Sequence, residues 1–187
     1  MNLPNLITVA RAILVPFVFW LLISGRIQTA FFFFLVAGVS DALDGFLAKR
    51  YGWQTELGAY LDPLADKLLI VSIFVALGVL GELPSWLVIA VVSRDILIIA
   101  AVVVSWLIAR PVRIRPLNVS KANTAMQIIL AAFVMADAGF MLGFDMVRIG
   151  LVWLTAVLTV VSLGAYIRAW LSHMNGLGGA TRSPTGK

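Results

Sequence analysis

The chain has 187 residues, 61% hydrophobic and only 12% charged, with a mean hydropathy of +1.02. Soluble domains carry about 25% charged and 45–50% apolar residues, so an aqueous globular fold is excluded and an all-α, polytopic membrane bundle is expected. The absence of cysteine rules out disulfides, thiolate metal ligands and a Cys nucleophile, and the net charge of +5 fits membrane topology and anionic headgroups rather than nucleic acid.

A membrane span needs about 20 apolar residues. The apolar runs predict six transmembrane helices in one domain over residues 1–172, with a flexible cytoplasmic tail over 173–187 that is rich in Gly, Ser and Thr. Helix 1 is expected at about 7–24. Its Arg11 lies within the apolar run and no small-residue cleavage site follows, so it reads as a retained span, not a signal peptide. "SGR" near 25 leads into helix 2 at 29–51, which opens with "FFFF" at 31–34. That stripe, with Trp20, Trp86 and Trp170, reads as lipid-facing or interfacial aromatic surface. Helix 3 is expected at 57–80 and helix 4 at 84–109, separated by "GELPS"; "ARPVRIRP" precedes helix 5 at 120–142, and "GFD" precedes helix 6 at 147–172. The single His173 is an interfacial residue, outside any metal cluster.

Basic residues set the orientation. Lys49, Arg50, Arg110, Arg113, Arg115, Lys121, Arg168, Arg182 and Lys187 flank one set of helix ends, whereas only Arg26 and Arg148 flank the other. Both termini and the even-numbered loops are therefore expected in the cytoplasm, across a bacterial inner membrane.

Residues 41–66, "DALDGFLAKRYGWQTELGAYLDPLAD", break the apolar pattern with four aspartates. Asp41 and Asp44 share one face of helix 2, and Asp62 and Asp66 share one face of helix 3. The short connection makes these helices antiparallel neighbours, so the two pairs can meet at similar depth near the cytoplasm. An ionisable group at the bilayer centre costs about 2.5–3.5 kcal/mol even on insertion scales. Lys67 and Arg94 could neutralise part of the charge in a polar knot, but that would not explain four converging hard oxygen donors. Carboxylates without His or Cys suit Mg²⁺, Mn²⁺ or Ca²⁺, and two such ions clamp the attacking and leaving oxygens of a phosphoryl transfer. Gly45 and Ala48 lie beside the first pair and Gly58 one turn before Asp62, where missing bulk admits a ligand or, alternatively, close helix packing. A divalent-cation transporter would also use carboxylates, yet it would not require that glycine–alanine spacing and would place its ligands near the midplane. A structural membrane scaffold is the other alternative.

The stretch resembles the signature of the CDP-alcohol phosphotransferase family, D-x2-D-G-x2-A-R-x8-G-x3-D-x3-D. Asp41, Asp44, Gly45, Ala48, Gly58, Asp62 and Asp66 match it, and Lys49 stands at the arginine position with Arg50 beside it. The resemblance implies a six-helix fold, usually a homodimer, with two divalent cations, Mg²⁺ or Mn²⁺. Asp41, Asp44 and Asp62 would be ligands, and Asp66 both ligand and general base. Gly45, Gly58, Thr55 and either Lys49 or Arg50 would contact the CDP moiety of CDP-diacylglycerol. "LPNLIT" resembles a segment that closes over the nucleotide, which adds Pro4 and Asn5.

Acceptor identity must come from elsewhere in the chain. Ser93-Arg94-Asp95, together with the segment from Ser120 to Gln127, resembles the cardiolipin-synthase branch of that family, whose acceptor is phosphatidylglycerol. The phosphatidylglycerophosphate-synthase branch, whose acceptor is glycerol 3-phosphate, is the alternative; it more often has a second lysine where Asn123 stands. A singly charged diester needs fewer cations than a dianionic phosphate. Arg94 and Lys121 are the expected donors to the acceptor's anion. Otherwise Arg94 would pair with Asp62, Asp66 or Asp95, and Lys121 would snorkel to the cytoplasmic surface.

Overall fold

The computed structural model describes the backbone of residues 3–51, 56–107 and 118–178, and the side chains of residues 13–40, 67–100 and 118–168. Six helices account for almost all of it: α1 Leu3–Ile23, α2 Ile27–Tyr51, α3 Glu56–Val79, α4 Ser85–Leu107, α5 Asn118–Phe140 and α6 Asp145–Gly178. No strand occurs among the described residues. The expected boundaries differ by a few residues except at two termini. α1 begins at Leu3, so Pro4 and Asn5 are helical, and α6 continues to Gly178, so residues 173–178 of the expected tail are helical as well. Residues 179–187 lie outside the described residues.

Two of the turns are built alike. After α1, Gly25 (φ 74°) donates to the carbonyl of Leu22 and Arg26 to that of Leu21, both at 2.9 Å. After α3, Gly81 (φ 77°) donates to Gly78 at 3.2 Å and Glu82 to Leu77 at 2.9 Å. Both close a Schellman motif, in which a left-handed residue just past the helix satisfies the last carbonyls. A side chain would be strained at either glycine.

α1 packs on α2 and α3; α5 packs on α2, α3 and α6; α4 packs on α3 and α6. Two four-helix rings thus share the α3–α5 contact. Val18, Leu22, Phe74, Leu77, Leu87, Leu130 and Val134 fill the interior with no exposed surface. The outside is equally apolar: Trp20, Phe32, Val36, Trp86, Trp153 and Val160 are all exposed. Such a continuous apolar exterior marks a lipid-facing surface rather than a soluble one. α5 and residues Asp145–Arg168 of α6 are long and apolar enough to cross a membrane. The FFFF stripe divides, with Phe32 and Phe33 outward and Phe34 buried, because successive helical residues point about 100° apart. Trp20 and Trp86 face outward as expected; the side chain of Trp170 lies outside the described residues.

The α3–α4 turn and the α5–α6 end of the bundle are joined by a polar clamp. Arg148 on α6 pairs with the Glu82 carboxylate at 2.8 Å and donates to the Glu82 carbonyl. Asp137, buried near the end of α5, accepts from the Phe144 amide at 3.0 Å and lies 3.9 Å from Arg148.

Candidate active site

The four aspartates fall on the two helix segments that flank residues 52–55. At 1.5 Å per residue, Asp41 and Asp44 lie about 10–15 Å before the end of α2, and Asp62 and Asp66 about 9–15 Å after the start of α3. Counted along the backbone, the two aspartate pairs thus lie at similar distances from the 52–55 connection. Asp41, Asp44, Gly45, Lys49 and Arg50 occupy the last three turns of α2, and Gly58, Asp62 and Asp66 the first three of α3. The side chains of these residues, and of Pro4 and Asn5, lie outside the described side chains, and Thr55 lies outside the described residues altogether. Among the described residues no group of three or more potential metal ligands occurs.

Next to the tetrad on α3 begins a described polar cluster. Lys67 follows Asp66 directly, and its ammonium donates to Oδ1 of Asp95 on α4 at 2.9 Å. Arg94 donates to the same oxygen through Nη1 at 2.5 Å. Nη2 of Arg94 donates to Ser120 Oγ on α5 at 2.6 Å and to Ser162 Oγ on α6 at 2.5 Å. The guanidinium carbon also sits 5.7 Å from the ring centroid of Tyr166, within cation–π range. Arg94 has no exposed surface, Asp95 is 3% exposed, and the Lys67 side chain keeps 28%. One carboxylate oxygen and one guanidinium thus join four helices.

Below this cluster, Ser120, Asn123 and Gln127 on α5 lie at helical spacing opposite the stripe of Thr155, Thr159 and Ser162 on α6. Thr159 donates to Asn123 Oδ1 at 3.1 Å. Arg94 Nε, Asn123 Nδ2 and both amide atoms of Gln127 are buried without a protein partner. Lys121 is exposed on the first turn of α5, beside Ser120.

The sequence singled out Arg94 and Lys121, and it raised a local Arg94–Asp95 interaction as one reading. That interaction is formed, and Lys121 is reachable from outside while Arg94 is enclosed. Sequence reasoning did not single out Asp95 as a hub, Ser162 or Tyr166. A usable signal was present: Thr155, Thr159, Ser162 and Tyr166 form a polar stripe at helical spacing through an otherwise apolar helix.

Residues 1–161 match the family model of the CDP-alcohol phosphatidyltransferases. The chain belongs to this family. It is 34% identical over 182 residues to the human cardiolipin synthase (CMP-forming), covering 88% of this chain and 60% of that protein. It is 33% identical over 187 residues to the CDP-diacylglycerol–glycerol-3-phosphate 3-phosphatidyltransferase of Shigella flexneri, covering 90% of this chain and 94% of that protein. A probable phosphatidylglycerophosphate synthase of Mycobacterium tuberculosis is 39% identical over 102 residues, 51% of this chain and 48% of that protein. The chain thus spans about three-fifths of the human relative's length. CDP-alcohol phosphatidyltransferases are generally dependent on divalent cations, and the donor set on α2 and α3 fits that requirement: four carboxylates, no thiolate and no imidazole.

Proposed function

We propose that the chain transfers the phosphatidyl group of CDP-diacylglycerol to a hydroxyl of phosphatidylglycerol, releasing cardiolipin and CMP. The observation that carries this reading is the full tetrad spacing, with its glycines, in a chain that matches the family model over residues 1–161. Asp41, Asp44, Asp62 and Asp66 would hold two divalent cations, Mg²⁺ or Mn²⁺, which supply charge neutralisation at the pyrophosphate when bound. Asp66 accepts the proton of the acceptor hydroxyl as its oxygen attacks the lipid-linked phosphorus. Gly45 and Gly58 leave room for the nucleotide. Lys49 or Arg50, with Thr55, Pro4 and Asn5, orients the CDP moiety, and positioning contributes much of the acceleration.

At the acceptor, exposed Lys121 meets the anion, and Arg94 contributes from inside by fixing Ser120, its neighbour. Asn123 is buried and neutral, which adds no further charge at this end of α5 and suits a singly charged phosphodiester. Glycerol 3-phosphate is the second reading, supported by the Shigella relative, which matches nearly end to end. The enzyme acts as a homodimer spanning a bacterial inner membrane six times, with its active site and both termini in the cytoplasm.

The test gives purified protein CDP-diacylglycerol with either phosphatidylglycerol or glycerol 3-phosphate, and identifies the product by lipid mass spectrometry. Cardiolipin is expected. Phosphatidylglycerophosphate alone would transfer the assignment to the second reading, and no CMP release with either acceptor would overturn both.

A further inference from the structure

We propose that Asp95 is a positioning residue for the acceptor, coupling the helix of the fourth tetrad aspartate to the helix that presents Lys121. This rests on the reading given under Proposed function. The coupling is a continuous chain of contacts. Lys67, the residue after Asp66, is tied to Asp95 Oδ1; Arg94 is tied to the same oxygen and, through its other terminal nitrogen, to Ser120; Ser120 directly precedes Lys121. Four side chains from three helices therefore set the separation between the end of the tetrad and the first turn of α5. The link to Ser162 fastens the same guanidinium to α6.

The chemistry of the junction makes Asp95 its irreplaceable member. Two cations converge on a single carboxylate oxygen, at 2.9 and 2.5 Å. Without its negative charge, the ammonium and guanidinium would repel one another in a site where Arg94 has no access to water. Breaking a buried pair by removing one partner leaves uncompensated charge, which is costly in low dielectric. Relief comes from Lys67, the only one of the three with appreciable exposure: it swings outward and releases α3 from α4. Arg94 then loses the contact that orients its fork, and with it the fixed placement of Ser120. A displacement of about 1 Å at a substrate-positioning group can cost roughly a hundredfold in rate. The effect falls on the acceptor, because the residues proposed for CDP lie on α2, between α2 and α3, and at the starts of α1 and α3, all ahead of this junction in the sequence.

The test is steady-state kinetics of the full chain in detergent–lipid micelles, varying CDP-diacylglycerol and acceptor separately. Asp95→Asn is expected to raise the acceptor KM about ten- to a hundredfold while the KM for CDP-diacylglycerol stays within about twofold, and Asp95→Glu should recover part of the loss. Lys67→Gln removes the partly exposed partner, tolerates folding better and should raise the acceptor KM in the same selective way. Combining it with Asp95→Asn should add little, since both break one link. Should Asp95→Asn fail to fold, Lys67→Gln and the Glu variant decide. Unchanged acceptor KM in Lys67→Gln, or equal increases for both substrates, overturns the inference. Wild-type protein inert towards both acceptors would instead defeat the underlying reading of function.

Discussion

Arg148 holds Glu82 twice, pairing with its carboxylate at 2.8 Å and donating to its main-chain carbonyl. This ties the α3–α4 turn to α6 at the end of the bundle opposite the tetrad. Both side chains keep roughly a quarter of their surface, so solvent screens the ionic part, and the main-chain bond carries most of the net gain. Arg148→Ala should lower stability by about 1–2 kcal/mol, read as an earlier thermal unfolding in detergent. Arg148→Lys should recover less than half, because an ammonium cannot reproduce the planar fork. Both KM values should be those of wild type. An unshifted unfolding curve for the alanine variant would show that the clamp does not stabilise the fold.

A second contact near that end limits how closely α2 and α5 can be altered. Gln28 donates to the Gly139 carbonyl at 2.6 Å, and a Cβ at Gly139 would stand 3.2–3.4 Å from Gln28 Cγ, N and Cα. Two of those three atoms are backbone and cannot rotate away. A better helix former gains at most about 1 kcal/mol over glycine, whereas forcing bulk into a close contact costs about 1–3 kcal/mol. Gly139→Val should therefore destabilise the protein in the same unfolding assay. A variant as stable as wild type would mean that α2 and α5 can separate freely.

Helix number, order and most boundaries were legible, because each apolar run is long and interrupted by glycine, proline or charge. Which face each helix turns inward was much less so: in a lipid-facing bundle both faces are apolar, and hydrophobicity no longer separates inside from outside. Phe32 and Phe34 illustrate the point. They are chemically identical and two residues apart, yet one is 57% and the other 5% exposed. Phe34→Ala should cost about 3 kcal/mol or more by opening a cavity, and Phe32→Ala much less, which paired thermal unfolding curves would check. Equal shifts would contradict the orientation of α2. The tetrad stands out in the sequence for the opposite reason, since charge in an apolar chain is costly and its spacing is informative. Asp95 was hidden beside Arg94, where adjacent opposite charges look self-contained; its link to Lys67 depends on how α3 packs against α4.

Lys121 separates an acceptor contact from a residue that merely snorkels. It is exposed on the first turn of α5, so removing its charge should leave the fold intact. Lys121→Gln should raise the acceptor KM by about tenfold, equivalent to about 1.4 kcal/mol of lost interaction with an anion, with little change for CDP-diacylglycerol. Titrating each substrate separately checks it. A residue that only reaches for the membrane surface would leave both constants unchanged.

Asp66 carries the strongest demand of the proposed chemistry. As general base it must take a proton from the acceptor hydroxyl, a role worth about 10²–10⁴ in rate. Asparagine matches aspartate in size, cannot accept that proton and retains one carbonyl oxygen. Asp66→Asn should therefore lose CMP release by at least that factor while its thermal unfolding stays close to wild type. Divalent-cation binding, followed by Mn²⁺ paramagnetic resonance, should weaken without vanishing, since Asp41, Asp44 and Asp62 remain. Asp66 would be removed from the mechanism by wild-type CMP release in this variant, because no isosteric amide can supply the missing base.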